Sequence, residues 1–158
     1  MKKHKYEVPS DIFPTGAYEL QIIYRRISPH RVAVRQASDA LSFCRTFVYP
    51  DGVEYAETFN ALFLDKANKI FCWKNIGVGG LSGTVADVRL VMQSALLAHC
   101  TSIIIVHNHP SGNIQPSEAD RSLTKKFSEA GKFLEIAVLD HLVITSDSYY
   151  SFADEGLL

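Results

Sequence analysis

No stretch of the chain approaches the roughly 18 consecutive apolar residues of a membrane span. The basic start MKKHK is followed by EVPSDIFPTG rather than by the apolar core of a signal peptide, so a soluble cytoplasmic protein is expected. Charge of one sign is not in excess: the formal net charge is −1. That excludes a global electrostatic pull toward nucleic acid or an anionic membrane, and neither is expected as a partner. Cysteine is scarce. Cys44, Cys72 and Cys100 are odd in number, far apart in sequence and set among apolar neighbours. A CxxC zinc site is excluded, and buried free thiols in a reducing compartment are expected.

Several chemical signatures are missing as well. The glycine-dense segment GVGGLSG, residues 77–83, has no Gly-Lys-Ser/Thr after it and lacks the GxGxxG spacing, so neither a phosphate-binding loop nor a dinucleotide site is indicated. A nucleobase deaminase needs His-x-Glu with Pro-Cys-x-x-Cys, and neither occurs. The letters HNH at 107–109 do not make an HNH nuclease, whose residues are spread over a ββα unit. The HxHxDH pattern of metallo-β-lactamase-type nucleases is broken by Pro110 and Ser111.

What is present is an ordinary globular composition. The chain has 158 residues, 47% apolar and 21% charged, which suits one domain with a single sizeable core. Residues 1–17 read as an irregular lead-in and 19–27, ELQIIYRRI, as a strand. A short helix is expected from Ser38-Asp39 to about Phe47, with Ser38 as cap. TFNALFLD (58–65) and IFCWKN (70–75) form a hairpin about KANK. A longer helix follows Thr84, read as its cap with Asp87 near its positive end. SIIIV (102–106) is a buried central strand. A second long helix runs from SEAD and is stopped by Gly131; EIAVLD, HLVIT and SYYSF complete the sheet. Hairpins mixed with helices imply an α/β sandwich rather than a doubly wound fold. Exposed edge strands leave a homodimer open.

The stretch HNHPSGNIQPSEAD, residues 107–120, follows directly on that buried strand. In an extended segment His107 and His109 point to the same side. Pro110 ends the strand, PSGNIQP reverses the chain, and Ser117 and Asp120 open a helix. Ser-x-x-Asp is also a capping box, and a lone HxH is often plain polar surface. The two readings are compatible, since a capping aspartate can still reach an ion. Two imidazoles and a carboxylate make three protein ligands, and four-coordinate zinc would leave a position for water, whose pKa it lowers toward about 7. Ser117, beside the ion, is a candidate donor to the oxyanion of a tetrahedral intermediate.

His107-Asn108-His109-Pro110, followed by Ser117-Glu118-Ala119-Asp120, resembles the JAMM motif of MPN-type metallopeptidases. The wider pieces FLDKANKI, GGLSGTVADVR, SALLAHCTSIIIVHNHPSGN, PSEAD, LDHLVIT and YYSFADEG resemble one branch, the RadC-like JAB domain. The division this suggests is an N-terminal extension with one strand over 1–35 and the JAB/MPN domain over 36–158. The resemblance implies a twisted mixed sheet flanked by helices, with one Zn2+ held by His107, His109 and Asp120. It also implies an upstream glutamate as general base. Glu54 and Glu57 are candidates, and Glu57, immediately before TFNALFLD, is the one that matches. The implied activity is zinc-dependent hydrolysis of peptide or isopeptide bonds in a protein or peptide substrate, with Glu57 activating a zinc-bound water.

The chain departs from the branch in two places. Longer members carry an N-terminal helix-hairpin-helix segment, for which residues 1–35 show no glycine-hairpin pattern, and the arginine of the long helix is preceded by Val88 where a proline is common. Asp140-His141 also fits the branch, either as a pair orienting a ligand or as a structural polar contact at a strand junction. Two other functional classes compete: a non-catalytic MPN scaffold for protein partners, and a DNA-repair accessory protein of the kind the RadC name suggests.

Overall fold

The apolar run SIIIV extends through His107 and Asn108, and the rest of the fold is assembled around the strand they form. The computed structural model describes residues 31–79 and 86–158. In chain order the elements are β1 (Val32–Ala33), α1 (Ala37–Phe43) passing into a π-helical turn at Cys44–Val48, β2 (Thr58–Leu64), β3 (Lys69–Val78), α2 (Val88–Leu97), β4 (Ser102–Asn108), α3 (Glu118–Leu134), β5 (Ala137–Ile144) and β6 (Tyr149–Ser151). Among the described residues the strands make one six-stranded sheet in the order β1-β3-β2-β4-β5-β6. Only β4 and β5 run parallel, with α3 as their crossover; the other neighbours are antiparallel. This is the mixed α/β sheet with flanking helices expected from the sequence, and SIIIV is central as expected.

Alternation along the strands sorts side chains onto two faces. Leu62, Leu64, Ile104, Val106, Leu142 and Ile144 pack against Ala37, Ala40 and Phe43 of α1. Ala61, Phe63, Ile103 and Ile105 point the other way, against Val91, Met92 and Ala95 of α2 and Phe127 of α3. β4 is buried along its whole length, and the same alternation separates its last two residues. His107 stacks beside Phe59 on the α2–α3 side. Asn108 reaches Val53 on the α1 side.

Several boundaries differ from the sequence reading. α1 starts at Ala37, so Ser38 lies inside its first turn rather than capping it. The Asp39 carboxylate accepts from the backbone N–H of Arg35 at 2.8 Å and of Gln36 at 3.3 Å, which anchors the helix start. α2 is capped by Asp87 itself, whose carboxylate accepts from Arg89 N at 2.9 Å. Thr84 lies outside the described residues, as do the lead-in, the strand expected at 19–27 and positions 80–83 of the glycine segment.

Gly131 does not stop α3, which runs on to Leu134 and ends at Glu135 in the left-handed region at φ 56°. The glycine serves close packing: a Cβ there would collide with the backbone carbonyl of Ile136. EIAVLD and HLVIT are one strand, not two, and Asp140-His141 lies in its interior rather than at a junction. A charged residue in mid-strand reads as a break, yet Asp140 is buried with its hydrogen bonds satisfied. Its Oδ2 accepts from Ser151 Oγ at 2.6 Å and its Oδ1 from Ala153 N at 3.0 Å and His141 N at 2.7 Å. Among the described residues, no helix is long and apolar enough to cross a membrane.

Candidate metal centre

β4 carries His107 as its penultimate residue, and His109 follows just past its end, still tied to β5 by a hydrogen bond from His109 N to Ile144 O at 2.9 Å. The extended backbone puts both rings on one side, with the two Nε2 atoms 3.0 Å apart. The chain then turns through Gly112 at φ 78°, a conformation that glycine adopts without strain. The turn returns the carbonyl of Asn113 to His109 Nδ1 at 2.6 Å. A carbonyl only accepts, so Nδ1 carries a proton, and in the neutral ring this leaves Nε2 of His109 as the lone-pair atom.

Asp120 arrives from the first turn of α3. Ser117 caps that helix: its Oγ accepts from Asp120 N at 3.2 Å, and Asp120 Oδ2 accepts from Ser117 N at 2.7 Å and from Ser117 Oγ at 2.6 Å. The cap divides the carboxylate. Oδ2 is occupied by the cap, while Oδ1 faces His107 Nε2 at 3.3 Å. The Ser117 hydroxyl proton is thus directed to Asp120, and donation to an oxyanion would require it to change partner.

One nitrogen from each histidine and one carboxylate oxygen lie within 4.8 Å of one another. His107 is almost wholly buried, whereas the His109 and Asp120 side chains are 17% and 15% exposed, so the cluster has a buried floor and an open side. Burial holds the His107 imidazole down to about pKa 4; Asp120 opposes this and His109 adds to it. A neutral imidazole is the form that binds metals. Two imidazole nitrogens and a carboxylate oxygen suit zinc or a similar divalent ion, and a cation at their centre would relieve the crowding of lone pairs.

The open side gives onto a cleft of about 460 Å³ lined by Glu57, His109, Pro110, Ser111, Asn113, Gln115, Pro116 and Ser117. Glu57 therefore shares a wall with one histidine and the capping serine, while Glu54 is exposed. The Glu57 backbone is tied to the end of β3, its carbonyl accepting from Gly79 N at 2.8 Å.

Asp140 and His141, read together in the sequence, separate in the structure. Asp140 organises the C-terminal turn. His141 is fully buried, with Nε2 2.9 Å from His107 Nδ1 and Nδ1 2.6 Å from Thr124 Oγ1. Burial first, then His107 and His109, push its pKa well below the ordinary imidazole value. Thr124 was not apparent from the sequence. The signal available was spacing: it lies four residues after Asp120, hence on the same face of α3.

A family model for the RadC-like JAB domain matches residues 34–157. A UPF0758 protein of Flavobacterium johnsoniae is 48% identical over 101 residues, which is 64% of this chain and 44% of that protein. One from Chlorobaculum parvum is 36% identical over 125 residues, 79% of this chain and 55% of that protein. UPF0758 protein CT0611 of Chlorobaculum tepidum is 34% identical over 141 residues, 89% of this chain and 62% of that protein. The chain spans about half the length of the curated relatives it matches. The family model runs through the HNHP turn and the capped helix, and with the similarity to these relatives it leads to one conclusion: this chain belongs to the RadC-like JAB domain family.

Proposed function

We propose that the chain is a zinc-dependent hydrolase of the JAMM class that cleaves amide bonds, peptide or isopeptide, in a protein or peptide substrate. The observation that carries this reading is the convergence of His107, His109 and Asp120 beside a cleft whose wall includes Glu57. Bound by those three side chains, zinc would supply Lewis acidity and lower the pKa of water toward about 7.

The chain's own residues would do the rest. Glu57 would accept one proton from the attacking water as the C–O bond forms, then return it to the leaving nitrogen as the C–N bond breaks. Asn113, through its carbonyl, holds His109 in the tautomer with a bare Nε2. Ser117 holds Oδ2 of Asp120 so that Oδ1 stays directed at His107. Pro110 and Pro116 stiffen both ends of the loop that lines the cleft, which favours a preformed site.

The test is hydrolysis of a fluorogenic peptide library and of an isopeptide-linked pair by the zinc-loaded chain, beside Glu57→Gln. Cleavage lost in Glu57→Gln with zinc retained supports the reading. Zinc-independent cleavage, or full cleavage by Glu57→Gln, contradicts the assignment. A chain that takes up no zinc and cleaves nothing would favour the protein-binding scaffold. Tight, salt-dependent DNA retention on a filter would favour the DNA-repair accessory role.

A further inference from the structure

We propose that His141 and Thr124 are positioning residues that fix His107 in the tautomer whose Nε2 lone pair faces the metal site. The inference rests on the metal reading above for its purpose, but its geometry stands independently. Three hydrogen bonds run in series from His107 Nδ1 to His141 Nε2 at 2.9 Å, from His141 Nδ1 to Thr124 Oγ1 at 2.6 Å, and from Thr124 Oγ1 to Asp120 O at 2.7 Å. Together they brace two ligand-bearing residues across β4, β5 and α3.

The far end sets the direction of the series. The Asp120 carbonyl only accepts, so the Thr124 hydroxyl proton is committed to it. Thr124 Oγ1 must then accept from His141 Nδ1–H. His141 is enclosed, stacked on Phe152 at 4.7 Å and meeting the Phe59 ring edge at 5.9 Å, and such a site favours a neutral ring with one proton. Its Nε2 therefore accepts, and His107 Nδ1 donates. That leaves His107 Nε2 bare, 3.0 Å from His109 Nε2 and 3.3 Å from Asp120 Oδ1. The opposite direction would put a proton on His107 Nε2, where His109 Nε2 and Asp120 Oδ1 could accept it, but would leave Thr124 Oγ1 and the Asp120 carbonyl oxygen 2.7 Å apart without a hydrogen between them.

The deciding experiment measures imidazole 15N shifts and one-bond or long-range couplings on the metal-free full chain, then titrates it with Zn2+. In the unsubstituted chain His107 should be protonated at Nδ1. Thr124→Val keeps the shape of the side chain and removes the hydroxyl; it should move His107 toward the Nε2–H tautomer and weaken Zn2+ binding about 10- to 100-fold. Thr124→Ser should restore both readings. An Nε2–H tautomer in the unsubstituted chain, or an unchanged tautomer and affinity in a folded Thr124→Val, overturns the proposal. Failure of the unsubstituted chain to bind Zn2+ would instead strike the proposed function, because the tautomer is read without metal.

Discussion

Asn108 donates from its side-chain amide to the carbonyl of Ala56 at 2.8 Å, one residue before Glu57, from the opposite face of the strand to His107. The same amide donates to Val53 O at 2.6 Å and accepts from Thr58 N at 2.8 Å and Thr58 Oγ1 at 3.0 Å. Both donors and both acceptor positions are used. The residue between the two histidines thereby ties the segment carrying Glu57 to the strand carrying His107. Alternation makes this economical: one strand end serves the histidine–aspartate cluster on one side and the loop on the other.

Replacing Asn108 by Asp keeps the volume but sets a carboxylate oxygen against two carbonyls. The expected loss is roughly 2–4 kcal/mol of unfolding free energy, since buried acceptors lose their donors. Hydrolysis should fall further than Zn2+ affinity, because His107, His109 and Asp120 are held by β4, its following turn and α3 while the Glu57 segment is released. Denaturant unfolding beside a metal titration checks both parts.

Ser117→Ala removes the α3 cap and the hydroxyl that holds Asp120 Oδ2. The helix-capping loss should be about 1 kcal/mol. If the serine also orders the carboxylate for a metal, Zn2+ affinity falls in the folded variant. Calorimetric titration compared with the melting curve separates the two effects.

The metal-free chain should lose stability as the pH falls. His107 is held down to about pKa 4 in the fold against an ordinary 6.5, so between those values the unfolded chain binds more protons and stability declines toward acid. His141 acts in the same direction. Asp140, whose carboxyl is pushed above 3.8 mainly by burial, acts in the opposite sense. The slope should therefore be clearest from about pH 6.5 to 5, read from urea midpoints in the presence of a chelator.

Gly131→Ala should destabilise the fold even though alanine is the better helix former. The added methyl meets the Ile136 carbonyl just past the end of α3, and overpacking of this kind costs about 1–3 kcal/mol against a propensity gain of about 1 kcal/mol. A melting temperature above that of the unsubstituted chain would contradict the packing account.

The parts of the fold that could be read from the sequence were those with a strong local pattern. SIIIV was a buried strand by its β-branched run, TFNALFLD and IFCWKN a hairpin by their apolar runs on either side of the turn KANK, and His107 and His109 a same-side pair by strand geometry. Element ends were harder, because long-range contacts set them. Gly131 reads as a stop only until Ile136 is seen packed against it, and Asp140 as a break only until Ser151 and Ala153 fold over it. The histidine series was hidden for the same reason. His107, Thr124 and His141 come from three elements that only the β4–α3–β5 crossover brings together, and the spacing of Thr124 from Asp120 places it on a face of α3 without announcing its contact with His141.

The central claim is that His107, His109 and Asp120 share a metal ion. Elemental analysis of the purified full chain, beside His109→Ala prepared identically, tests it most directly. The account predicts one zinc ion per unsubstituted chain and its loss from a folded His109→Ala. Equal metal content in the two proteins, or none in the unsubstituted chain after incubation with Zn2+, would contradict it.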